Sequence, residues 1–150
     1  MPPVVRDPEF GARVRDSFAK QQFMATLGAR LELVAPGEVR ISLPYRADLT
    51  QQHGFLHAGA VTSVVDSACG YAALTLMEPG AAVLSVEFKV NLLAPAAGKE
   101  FLAIGKVVRA GRTITVCSGE LRAVDDGRET VIAILQGTMM AVRDKPGLID

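Results

Sequence analysis

Apolar and polar positions along this chain follow two periods, and they mark out its elements. Phe10, Val14 and Phe18 recur near helical spacing among Arg13, Arg15, Asp16 and Lys20. That predicts a helix over residues 9–23, with Asp7-Pro8 as its start signal. Residues 21–28 read as a short apolar turn, and 29–34 and 38–45 as two strands joined at Pro36-Gly37. In the second strand Val39, Ile41 and Leu43 alternate with Glu38, Arg40, Ser42 and Pro44, so one face is dry. A polar loop over 46–54 leads into residues 51–77, QQHGFLHAGAVTSVVDSACGYAALTLM. After its polar opening this stretch is almost wholly apolar, and it reads as a long buried helix ended by Glu78-Pro79-Gly80. In residues 82–93, Leu84, Val86, Phe88, Val90 and Leu92 alternate with Ser85, Glu87, Lys89 and Asn91, the pattern of a half-buried strand. Pro95 to Gly98 breaks it. Strands follow at 100–109, 113–124 and 129–142, with turns at Ala110-Gly111-Arg112 and Asp125-Asp126-Gly127.

This order predicts an α+β domain: a curved antiparallel sheet of about six strands wrapped around one central helix, with an extra N-terminal helix. The domain occupies 28–142, after a helical segment at 1–27 and before a flexible tail at 143–150. Gly105, Gly119 and Gly137, inside strands, are expected to mark bends or bulges. The helix surface that the sheet leaves uncovered predicts a dimer.

The long helix carries one charge, Asp66, with none between it and Asp48 or Glu78. A buried carboxylate is costly unless it is paired or used. Asp66 also argues against a membrane span, because it would sit mid-bilayer at about 2.5–3.5 kcal/mol. Sixteen basic residues balance sixteen acidic ones without a basic block, which argues against nucleic acid as a partner. Residues 1–18 lack the apolar core of a secretion signal, so the expected location is the cytoplasm. Cys69 and Cys117 have no metal-type spacing and read as reduced, buried small hydrophobes. His53, His57 and Asp66 match no metal motif, so no metal or other cofactor is expected.

Four features together resemble the hotdog-fold acyl-CoA thioesterases, in the branch typified by the phenylacetate-pathway enzyme. They are Gly54-x-x-His57-Ala58-Gly59 at the helix start; Asp66, nine residues after that histidine; Leu84-Ser85-Val86-Glu87-Phe88-Lys89-Val90-Asn91 followed by Ala94-Pro95; and Val107-x-x-Ala110-Gly111-Arg112-Thr113. The resemblance covers roughly residues 28–142. It implies hydrolysis of an acyl-CoA to a free acid and coenzyme A, without metal. Asp66 would be general base or nucleophile, and backbone N–H groups of Ala58 and Gly59 would polarise the carbonyl. Gln51 would contact the carbonyl or the water, His57 would orient Gln51 or line the pocket, and Ser85 would help place the water. Lys89, Arg109 and Arg112 are the candidates for the coenzyme A phosphates. The chain departs from the family at Ala58, where a glycine is usual, and at Gln51, where an asparagine is usual.

Asp66 lies roughly 13 Å along the helix axis from His57, too far to share one thioester with its own helix start. The resemblance implies that the two act together across a homodimer, which relatives often pair into tetramers. The strand at 82–93 is the candidate for pairing with its twofold mate. The alternative function is a non-catalytic hotdog module that binds acyl thioesters or serves in assembly. A hydratase is disfavoured because the loop before the helix lacks that group's Asp–His pattern.

Overall fold

A computed structural model describes residues 2–150. Two helices, α1 (Phe10–Lys20) and α2 (Gln22–Leu27), precede strands β1 (Arg30–Ala35) and β2 (Glu38–Pro44). The central helix α3 (Ala58–Leu74) follows, then β3 (Ala82–Leu92), β4 (Glu100–Ala110), β5 (Ile114–Asp125) and β6 (Arg128–Val142). The strands form one antiparallel sheet in the order β1-β2-β4-β5-β6-β3, curved around α3. This is the expected hotdog arrangement. Among the described residues no helix is long and apolar enough to cross a membrane.

The sheet meets α3 through two glycines. Gly105 and Gly119 face each other across β4 and β5. A Cβ added at Gly105 would lie 2.3 Å from the Ala68 carbonyl carbon, and one at Gly119 would lie 2.5 Å from Val65 Cγ1. The helix backbone therefore rests directly on the strands. The register shifts fall elsewhere, at Leu31/Leu33, Ser85/Glu87, Val107/Arg109 and Leu121/Arg122. Gly105 and Gly119 are sites of close approach to the helix, and no register shift falls at Gly105, Gly119 or Gly137.

Three local expectations change. The turn expected at 21–28 contains α2, which buries Met24 and Leu27 and ends at Gly28 in the left-handed conformation, φ 72°. α3 stops at Leu74, before Pro79. Thr75 Oγ1 bonds back to the Ala72 carbonyl and accepts the Gly37 N–H. The Arg13 guanidinium takes the carbonyls of Leu74, Met77 and Glu78 at 2.9, 2.8 and 2.6 Å. α3 is also not apolar all round: Thr62, Ser63, Asp66, Ser67 and Gly70 form a half-exposed stripe away from the sheet.

The third change is in β3. Ser85 pairs with the fully buried Met139, so it faces the helix. Beyond the register shift, Phe88, Val90 and Leu92 pair with Gly137, Leu135 and Ala133 and face the helix too. Val86 is the extra residue, and it reverses the alternation. Leu84 and Ser85 thereby exchange the faces that a simple period of two assigns them.

The contact at Gly105 is testable. Gly105→Ala should cost about 3 kcal/mol in urea unfolding, because backbone must move to admit the methyl. Gly70→Ala, where a Cβ meets nothing within 4 Å, should be neutral or stabilising. Equal stability of the two variants would contradict the packing.

Candidate active site

The start of α3 is a partly satisfied helix end. His57 is its N-cap, at φ −62° and ψ 140°, and its Nδ1 accepts the Gly59 N–H at 2.8 Å. That bond requires Nδ1 to carry no proton, so the neutral ring holds its proton on Nε2. The His57 carbonyl accepts the N–H groups of Ala60 and Val61. Among the described residues the Ala58 N–H has no partner. Four N–H groups begin every helix without intrahelical partners, and here three are occupied. Gly59, expected as a second carbonyl donor, spends its N–H on His57. The reason is the short span between an N-cap side chain and the second helical residue.

Gln51 lies beside this end. Its Oε1 accepts the His53 N–H at 2.5 Å. A backbone N–H can only donate, so this contact fixes which end of the amide is oxygen, and Nε2 has no partner among the described residues. Gln51 and Ala58 border a cavity of about 480 Å³, with Phe55, Val61, Leu92 and Ile132 among its apolar walls. His53 stays in the exposed loop beside Gln52.

Asp66 opens into a different cleft, of about 320 Å³. Ser85 Oγ donates to its Oδ1 at 2.8 Å, a contact made possible by the reversal in β3. Burial pushes the Asp66 carboxyl above its ordinary range, and the Ser85 bond partly opposes that. Eight residues separate Ala58 from Asp66, about 12 Å of helix. The structure thus joins Asp66 to Ser85 and Gln51 to Ala58, and it keeps the two pairs apart.

The cleft wall beside Asp66 is a polar network absent from the sequence reading. Ser17 Oγ donates to Asp150 Oδ1 at 2.8 Å. Its one proton is thereby used, so the Tyr71 hydroxyl, 3.3 Å away, donates to Ser17. Gln21 Nε2 donates to Tyr71 at 3.2 Å, and Ser67 Oγ donates to Gln21 Oε1 at 3.0 Å. Asp150 Oδ2 also accepts the Val83 N–H at 2.9 Å. The legible part of this signal is Ser67 and Tyr71, one turn apart on α3. Ser17, Gln21 and Asp150 arrive only through tertiary packing.

The basic candidates do not form one cluster. Lys89 is on β3, whereas Arg109 ends β4 and Arg112 sits in the following turn, with β5 and β6 between. Three strand spacings put them about 14 Å apart. Cys69 and Cys117 are fully buried. Burial pushes both thiols up, Cys117 to about 12, so neither is a ready nucleophile. Among the described residues no three metal-type ligands gather.

Comparisons with known proteins bear on the family and the fold. The family model described as the thioesterase superfamily matches residues 53–130. A Halobacterium salinarum protein provisionally named an esterase is 32% identical over 131 residues, spanning 81% of this chain and 85% of that one. The crystal structure of a thioesterase family protein from Silicibacter pomeroyi is 55% identical, covers 89% of this chain and 98% of its own, and superposes with a TM-score of 0.88. The PaaI protein of the E. coli phenylacetic acid degradation operon shares the fold, with a TM-score of 0.80 at 19% identity over 89% of this chain and 94% of that one.

The raised Asp66 pKa has a sign that stability measurements can read. A carboxyl whose folded pKa exceeds its ordinary 3.8 favours the protonated fold. Its stabilising contribution is complete below that value and is lost as pH rises through the folded pKa. Asp66→Asn should therefore be more stable than the parent near about pH 7, with the difference shrinking below about pH 4. A variant less stable than the parent near pH 7 would contradict the burial effect.

Proposed function

The chain belongs to the thioesterase superfamily, and we propose that within it this protein hydrolyses acyl-CoA thioesters in a site shared between two copies. One observation carries the reading. The unpaired Ala58 N–H and the Asp66 carboxylate lie about 12 Å apart on one helix and open into separate cavities. Each is half of a hydrolytic site, and a second copy can supply the other half.

The thioester carbonyl oxygen accepts from the Ala58 N–H, where the positive end of the helix dipole adds to the hydrogen bond. Gln51 Nε2, its oxygen held by His53, donates from the side. The partner's Asp66 removes a proton from water as the water oxygen attacks the carbonyl carbon. The tetrahedral oxyanion rests on Ala58 and Gln51. Its collapse breaks the C–S bond, and the departing thiolate takes a proton to leave free acid and coenzyme A. Burial that raises the Asp66 affinity for a proton suits a general base, and Ser85 holds its carboxylate in place. Arg109 and Arg112, close together on one hairpin, suit the coenzyme A phosphates.

With a panel of acyl-CoAs and a free-thiol reagent, the parent should release thiol, and Asp66→Asn should lower kcat by about 10²–10⁴. The parent's kcat/KM should rise with pH through an apparent pKa above the ordinary carboxylate range, because Asp66 must be ionised to act as base. No thiol release from any acyl-CoA would leave the protein a binding module.

Ala58→Pro is a clean probe of the oxyanion donor. Proline is tolerated at the first helical position, and His57 already has the extended ψ that a following proline requires. The N–H is replaced by the ring Cδ, which removes the donor and fills its place, so kcat should fall by at least about 10²–10³ with little change in Tm. Mixed after dissociation, the Asp66→Asn and Ala58→Pro proteins should recover about a quarter of parental activity, since each heterodimer rebuilds one of two sites. No recovery would place both groups of one site on the same chain.

A further inference from the structure

The Asp66 cleft carries a second carboxylate in its wall, and hydrolysis does not require it. Asp150, half-buried in the tail, reaches two other elements. Its Oδ1 accepts the Ser17 hydroxyl of α1 at 2.8 Å, and its Oδ2 accepts the Val83 N–H of β3 at 2.9 Å. The tail is thereby clasped to α1 and to β3, and these are walls of the cleft of about 320 Å³ that also holds Asp66 and Ser85. Both contacts lie largely outside the stretch that resembles the thioesterase family: Ser17 precedes residue 28 and Asp150 follows residue 142.

The charge of Asp150 is not neutralised by a cation. Its partners are a hydroxyl and an amide N–H, and among the described residues neither Asp150 nor Asp66 has a basic nitrogen within 4 Å. The exposed Lys20 lines the same cleft and pairs with neither. Hydrogen-bond capacity is equally one-sided. A carboxylate has about four acceptor sites; Asp150 fills two of them and Asp66 one. The donors around them are mostly spent, Ser17 on Asp150, Tyr71 on Ser17, Ser67 on Gln21, and Gln21 Nε2 on Tyr71. The field of Asp150 extends into the cleft: burial pushes the Tyr71 hydroxyl up, its bonds to Ser17 and Gln21 oppose that, and the Asp150 charge adds to the push. The cleft thus presents acceptors and negative charge, with few free donors.

We propose that the Asp66 cleft receives the far end of the acyl group and that Asp150 is a specificity-determining residue there, admitting neutral acyl groups and rejecting those that end in a carboxylate. The inference rests on the thioesterase reading above and names the substrate class of that site. The coenzyme A arm has to run on into solvent, whereas the clasp between the tail, α1 and β3 stops a chain that enters the cleft. Gly70, Val83 and Ile149 supply the apolar part of its lining. An acyl carboxylate drawn in beside Asp150 loses water, meets a like charge, and finds only Lys20 and one unused Gln21 hydrogen as donors.

Hexanoyl-CoA and adipyl-CoA test this, because their acyl chains are equally long and differ in a terminal carboxylate. The coenzyme A part is common to both, so the ratio of their kcat/KM values isolates the acyl end. The parent should favour hexanoyl-CoA at least about twentyfold. Asp150→Asn should shrink that ratio about tenfold through a rise in kcat/KM for adipyl-CoA, and Asp150→Glu, which keeps the charge, should hold the ratio near the parental one. Salt gives a check that needs no variant: from about 0.01 M to about 1 M the Debye length falls from about 30 to about 3 Å, so the parental ratio should narrow. Equal use of both substrates by the parent would overturn the charge filter, as would a ratio that neither Asp150→Asn nor salt alters. An equal change for both substrates in Asp150→Asn would overturn the placement of the acyl end and put the coenzyme A arm in this cleft. In each of these cases thiol release that is lost in Asp66→Asn leaves the thioesterase reading standing; no thiol release from any acyl-CoA would overturn that reading itself.

Discussion

The α3 backbone lies against the sheet where Gly105 and Gly119 face each other, and this close approach sets the orientation of everything on the helix. With the Ala68 and Val65 side pressed onto the strands, rotation of the helix is fixed. Thr62, Ser63, Asp66, Ser67 and Gly70 must then turn away from the sheet. Asp66 is left half-buried: dry enough for its carboxyl to hold a proton more tightly than usual, and open enough to meet water. A side chain at Gly105 would lift the helix and loosen that compromise.

The two ends of α3 are treated in opposite ways. At the C-terminal end the Arg13 guanidinium binds three carbonyls and pairs with Asp7, so a positive charge closes the negative end of the dipole. At the N-terminal end His57 caps Gly59 and leaves the Ala58 N–H open beside an apolar cavity. One end is a structural anchor for α1. The other retains an N–H donor without a partner among the described residues. This asymmetry also explains the place of the N-terminal segment in the fold: α1 seals one end of α3, and its Ser17 together with the Gln21 that follows it walls the Asp66 cleft.

The strand periods, the turn signals and the lone carboxylate in an apolar run were all readable from the chain, because each depends on neighbours a few residues apart. The hairpin at Asp126-Gly127 is a clear case, both residues taking positive φ where the sequence calls for it. So is the separation of Asp66 from the helix start, which is arithmetic on helical rise. α2 was missed because Gln21, an ordinary residue, breaks the helix where no proline or glycine signals it.

What the sequence determined, then, is the order of elements and the identity of the polar residues among them. What only tertiary structure decided is which of those residues meet. Ser85 reaches Asp66 because one extra residue, Val86, shifts β3 against β6, and a bulge is a property of two strands rather than one. The Gly59 N–H is occupied because His57 turns its ring back onto the helix. Ser17, Gln21, Tyr71 and Asp150 join into one network from positions scattered across the chain. Local periodicity constrains direction within an element; contact between elements is set by packing distances and by hydrogen-bond partners that sequence spacing does not record.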